Sequence, residues 1–313
     1  MRGPTLVSVP ADSRPTALVG AWRRTTTGTR VAAILLLSFG VMAVLAPVIA
    51  PYSLSHQIDI VAMKSQSPSL AHPFGTDRFS RDVLSRVLFG LRVTLSVATL
   101  AVCVSAIIGT LYGLAAAISN RVVDTVMMRV LDALLAIPRV LLLIAVVALW
   151  APLPLPALVA LLGVTGWFEV SRLVRAEALS VREREFVVAA RSLGAGSARI
   201  LRRHVFPNVL TPVIVTTTLG IAQVVVLEAG LSFLGLGARE PVPSLGTMLQ
   251  DGSEAFAGTW WVALFPGVTI VVIVVCINVV GDALRVSLDP RQLPSVRLGT
   301  RTAALPTAPL VHE

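Results

Sequence analysis

Lysine is almost missing from this chain. Lys64 is the single lysine among 26 basic residues, and Val-Ala-Met precedes it. A phosphate-binding loop sets its lysine behind a glycine-rich turn, so the chain holds no nucleotide-hydrolysing site of that kind. Charge of either sign is scarce too, at 14% of residues against 55% hydrophobic. A soluble protein of 313 residues needs a charged shell that this composition cannot supply. Lipid is therefore the solvent for most of the chain. Cysteine occurs twice, Cys103 and Cys276, both within apolar runs. That excludes a disulfide framework, and each thiol reads as a small buried hydrophobe. Histidine is confined to His56, His72, His204 and His312, all outside the apolar runs, and no HExxH occurs. An intramembrane hydrolase would need its nucleophile and base within the spans. Nothing marks a catalytic, cofactor or metal site. The net charge of +9 does not by itself point to nucleic acid, because basic residues flanking membrane spans also raise the count.

What is present is a series of long apolar runs. A bilayer crossing takes about 20 mostly apolar residues, and six segments qualify: Val31–Ala50, Val93–Ala117, Met128–Trp150, Ala157–Val174, Val209–Leu231 and Trp261–Leu284. The expected fold class is an all-α integral membrane protein with six transmembrane helices. Asp132, Pro138 and Arg139 interrupt the third run. The polar stretch before the first run, with Arg2, Arg14, Arg23, Arg24 and Arg30, is long for a signal peptide, so the run reads as an uncleaved anchor. With the N-terminus inside, the inner segments hold nineteen of the 26 basic residues, which predicts both termini in the cytoplasm. The expected organisation is a cytoplasmic tail over 1–30, a first helix with a long outer loop over 31–92, a core over 93–288, and a cytoplasmic tail over 289–313. Within the outer loop, Val83, Leu84, Val87, Leu88 and Leu91 recur at helical spacing with Arg81, Arg86 and Arg92 elsewhere. That predicts a helix at the outer interface whose arginines reach headgroups or water, or one packed on the bundle's rim.

Between the fourth and fifth runs lies a charged insert, Arg182–Asn208. Glu183 and Glu185 stand at its front and Arg191 near the back of a first helical piece, which suits the helix macrodipole. Phe186, Val187, Ala190 and Leu193 form one apolar stripe. Gly194 sits where a left-handed C-cap is wanted. Ser197 is placed to cap a second helix carrying Arg199, Arg202, Arg203 and His204, which Pro207 should stop. The reading is either a protruding knob that needs a partner, or a loop lying on anionic lipid. Inside the spans, Glu169, Gln223, Glu228 and Asn278 must face protein or water. They either line a pathway or hold helices together.

"AARSLG" followed by "RILRRHVFPN" resembles the cytoplasmic EAA loop of ABC-importer permeases, with the pattern on Val188, Ala189, Ala190, Gly194 and Phe206-Pro207. Val188 stands where the family usually has glutamate, which removes any salt bridge that glutamate would make. "HPFGTDRFSRDVLSRVLFG" is similar to the H-P-[LF]-G-T-D-x-x-G-R-D segment of the dipeptide, oligopeptide and nickel subfamily, with Ser80 replacing a glycine. "LSFLGLG" and "GDALRVSLDPR" resemble that subfamily's signatures too, with Val286 in place of a common aspartate. The match is to the second of the two permease subunits. The resemblance implies the fold of a type I ABC importer permease in the bacterial inner membrane. It also implies a sister permease forming a heterodimer, cytoplasmic ATPase subunits that bind ATP and magnesium, and an extracytoplasmic binding protein. Phe186, Val187, Ala189, Ala190, Leu193, Gly194, Arg199 and Pro207 would then dock on the ATPase. An ion-coupled secondary transporter is the competing reading, and the sequence offers no internal repeat for it.

Overall fold

The computed structural model describes residues 26–54, 63–150, 153–237, 242–254 and 258–288, and the regular elements among them are helices. The tails, His56, Arg239 and His312 lie outside the described residues, as does the end of the last signature. Nine helices follow in chain order: α1 (Thr27–Ile49), α2 (Val83–Ile118), α3 (Arg121–Leu135), α4 (Arg139–Trp150), α5 (Leu155–Arg182), α6 (Glu185–Ser192), α7 (Ser197–Phe233), α8 (Leu245–Glu254) and α9 (Trp260–Leu288). Five of them are long and apolar enough to cross a membrane. The pair α3 and α4, bent by 73°, makes a sixth if it counts as one span.

The centre of the bundle is the parallel pair α2 and α5, and small residues decide how closely it packs. A Cβ on Gly113 would stand 2.5 Å from the Ser171 carbonyl oxygen. On Gly109 it would stand 2.6 Å from Val170 Cβ, and on Gly163 2.7 Å from Val104 Cβ. Between helices in lipid there is no hydrophobic drive, so dispersion across such small-residue contacts does the work. α7 packs on α2, α5 and α9, and α1 lies outside against α2 and α9. One buried cluster gathers Val83, Leu91 and Val97 of α2 with Val225, Leu245 and Ile273. A second, at the other end of α2, gathers Leu114 and Ala117 with Val174, Val181, Val187 and Val205. Val44, Val48 and Leu37 of α1 are largely exposed, as residues facing acyl chains are.

Several expectations need correction. The helix assigned to the outer interface is the first three turns of α2, continuous with the second span. Val83, Val87 and Leu91 are buried in the core, and Arg86 is buried as well. The continuous helix wins because Val83, Val87 and Leu91 of its first turns and Val97 and Val102 at the start of the span bury in one cluster. The third span is not a single rod, because Pro138 lacks an N–H and disfavours helix in the residue before it. Pro207 does not stop a helix. A π turn over Leu201–Val205 precedes it, and Phe206 N–H bonds to the Leu201 carbonyl, so α7 runs on through the proline. Cys276 is buried as expected, but Cys103 is exposed.

Candidate functional site

At the end of α5 that packs in the second cluster, the chain makes two sharp turns. Glu183 ends α5 as its C-cap, so it does not serve the front of α6 as expected. Glu185 occupies the first turn of α6 and Arg191 the last, the order a helix dipole favours. Gly194 has φ +83. Its N–H bonds to the Arg191 carbonyl at 3.0 Å, and Ala195 N–H to Ala190 at 3.1 Å. These two bonds make a Schellman turn, which needs a left-handed residue at this position. Gly196, not Ser197, is the N-cap of α7, and it brings no side-chain hydrogen bond.

The apolar stripe divides. Val187 is fully buried against the chain's own Val181, Ile200 and Val205. Leu193 is 89% exposed, Val188 49% and Phe186 44%. Ala189 is exposed and Ala190 half-buried. Phe186 lies beside the His204 ring, centroids 5.8 Å apart. Val187 thus anchors the elbow, while Phe186, Val188 and Leu193 face outward. Arg191, Arg199, Arg202 and Arg203 are exposed, and no ion pair holds them among the described residues. Arg182 Nη1 donates to the Ala117 carbonyl and ties the elbow's base to α2. Pro207 is exposed on α7.

The four polar span residues separate into two kinds. Glu228 is wholly buried. Thr94 donates to its Oε2 at 3.0 Å and Ser232 to its Oε1 at 2.7 Å. Thr94 Oγ1 also accepts the Leu245 N–H at 3.2 Å, so the carboxylate joins α2, α7 and α8. Both its oxygens are engaged inside the chain, the arrangement of a residue that holds helices together. Glu169, Gln223 and Asn278 are exposed.

At the opposite end, the HPFGTDRFSRD segment folds into a knot on the start of α2. Asp77 accepts the N–H groups of Phe79 (2.8 Å) and Arg81 (2.9 Å), Arg81 Nε (2.7 Å) and Arg86 Nη1 (2.5 Å). Arg86 Nη2 reaches Asp251 of α8 at 3.1 Å. Asp82 caps α2 through Ser85 N–H at 2.8 Å and holds His72 Nδ1 at 2.9 Å. Trp261 Nε1 of α9 donates to the Thr76 carbonyl at 3.0 Å. One segment therefore fastens three helices. Sequence reading found the motif but not this work. Arg86 was the available signal, an arginine within an otherwise largely apolar run.

Residues 109–293, which run from the end of α2 through the bent helices, α5, the elbow and the last span, match the family described as binding-protein-dependent transport system inner membrane component. The chain belongs to that family. The dipeptide transport system permease protein DppC of Alkalihalophilus pseudofirmus is 40% identical over 258 residues, 82% of this chain and 84% of that one. The protein of the same name from Bacillus subtilis is 36% identical over 274 residues, 87% and 85% of the two chains. Among solved structures, an inward-facing MetNI methionine ABC transporter chain is similar with TM-score 0.54 at 20% identity, covering 66% of this chain and 96% of that one. At that identity the likeness is one of fold. This chain is a membrane permease of a transport system, and the type I importer fold expected from its motifs is the one it has.

Proposed function

We propose that this permease forms, with a sister permease, the pathway of an ATP-driven importer of di- or oligopeptides delivered by an extracytoplasmic binding protein. Its relatives' names supply the substrate class. Both termini and the elbow lie in the cytoplasm on this reading, where the excess of arginine belongs. The elbow docks in a cleft of the ATPase subunit. The observation that carries this is the division of the stripe. Val187 is locked into the bundle, while Phe186, Val188 and Leu193 stand outward on a short helix held by a left-handed glycine. A loop resting on lipid needs no rigid tie to the spans. Force from an ATPase does, and Val187 with Arg182 provides it. Arg191, Arg199, Arg202 and Arg203 are left to meet an acidic rim.

Gly194→Val separates the readings. No atom lies within 4 Å of a Cβ at this position, so the substitution acts only through the left-handed backbone, at a cost of roughly 1–2 kcal/mol. The variant is reconstituted with the sister permease, ATPase and binding protein, and peptide uptake per ATP consumed is measured. Reduced uptake per ATP with normal assembly is expected for this variant and for Leu193→Asp. Unchanged coupling in both would show that the elbow merely rests on the membrane.

A further inference from the structure

The break between α3 and α4 holds a cation at mid-depth. Arg139 begins α4, and its guanidinium lies against α5: Nη2 donates to the Leu162 carbonyl at 2.8 Å and Nε to Thr165 Oγ1 at 3.3 Å. Gly166 makes the room, since a Cβ there would stand 2.9 Å from Nη2 and 2.5 Å from Ser105 Oγ. Ser105 precedes by twelve residues Ala117, whose carbonyl receives Arg182 at the elbow's base. Twelve residues of helix rise about 18 Å, and half of a hydrocarbon core is about 15 Å. Arg139 therefore sits near the middle of the membrane.

Two neutral acceptors position this charge without cancelling it. The charged neighbour is Glu169, one turn beyond Thr165 on α5. Glu169 is exposed, and among the described residues its carboxylate has no hydrogen-bond or ion-pair partner. Nearby, Arg172 Nη2 meets Asp132 Oδ1 at 2.6 Å, with the two side chains 56% and 53% exposed. The residues of the break, Ala136 to Pro138, are exposed as well. Charges and irregular backbone at this depth do not face acyl chains; they line water or protein.

We infer that Arg139 and Glu169 form a subsite for the two charged ends of a short zwitterionic peptide, Arg139 taking the carboxylate and Glu169 the ammonium. This rests on the peptide-import reading above. Thr165 to Glu169 is about 6 Å along the helix, and two extended residues span about 7 Å. Arginine suits the role because its planar fork matches a carboxylate. Glutamate accepts from an ammonium through either oxygen.

The experiment uses the full complex in proteoliposomes. Uptake of a free dipeptide is compared with that of its C-terminal amide and its N-acetyl derivative, each expressed as a ratio so that the amount of complex cancels. Arg139→Gln should lower the free-to-amide ratio roughly tenfold, and Glu169→Gln the free-to-acetyl ratio similarly, as loss of a charge-assisted hydrogen bond implies. Glu169 holds nothing in the fold, so its variant carries the test even if Arg139→Gln fails to assemble. Wild-type ratios in Glu169→Gln, or equal loss for all three substrates, would overturn the subsite. A wild-type complex that imports none of them would instead overturn the peptide reading.

Discussion

Arg86 and Asp77 meet inside the protein, Nη1 to Oδ2 at 2.5 Å, with side chains 5% and 2% exposed. Removing one member of a buried pair costs up to about 3–5 kcal/mol where the other is left uncompensated, and Arg81, which stays on Asp77 Oδ2 at 2.7 Å, offsets part of that loss. Arg86→Leu should therefore lower thermal stability strongly and release α8, to which Arg86 is also joined through Asp251. The measurement is a melting curve of the detergent-solubilised protein. A variant that melts like the parent would mean the knot does not fasten these helices.

Ser80 should be improvable. It has φ +60, it is fully buried, and its hydroxyl finds no partner among the described residues. Glycine relieves both penalties, though it gives the unfolded chain more freedom. Ser80→Gly is expected to stabilise by about 1 kcal/mol. The same melting assay reads it, and a lower midpoint would refute the account.

Gly113 tests the close approach of α2 and α5. Leucine there would drive into the Ser171 carbonyl and the Val174 side chain, at a cost of about 1–3 kcal/mol or more. Gly40 of α1 has nothing within 4 Å of a Cβ. Gly40→Leu should keep wild-type levels of folded protein while Gly113→Leu loses them. Equal behaviour of the two would show that the glycines do not set the spacing.

Sidedness is testable with single cysteines at Ser67 and Ser197, both exposed, in a background where Cys103 and Cys276 are both replaced by alanine. An impermeant thiol reagent on intact cells should label the first and spare the second. Labelling only at Ser197 would invert the topology and end the docking proposal.

Much of this protein follows from its order of residues alone. Apolar runs of bilayer length announced the spans, because backbone groups in lipid must pair within a helix. Gly194 could be read as a left-handed cap because an apolar stripe stops just before it. The third run was visibly uneven, since Asp132, Pro138 and Arg139 have no place in a straight apolar rod. Tertiary structure decided the rest, which concerns where polar groups end up. Glu169 and Glu228 look alike in the sequence, yet Glu228 is enclosed by Thr94, Ser232 and Leu245 while Glu169 stands exposed. Arg86 reads as a headgroup ligand until Asp77 and Asp251, one of them 165 residues away, close around it. Helical periodicity reports which face is apolar, and it is blind to what a distant segment brings to that face. The partners of a buried charge are set by packing, and packing here was set by glycines on α2 and α5 that let two backbones touch.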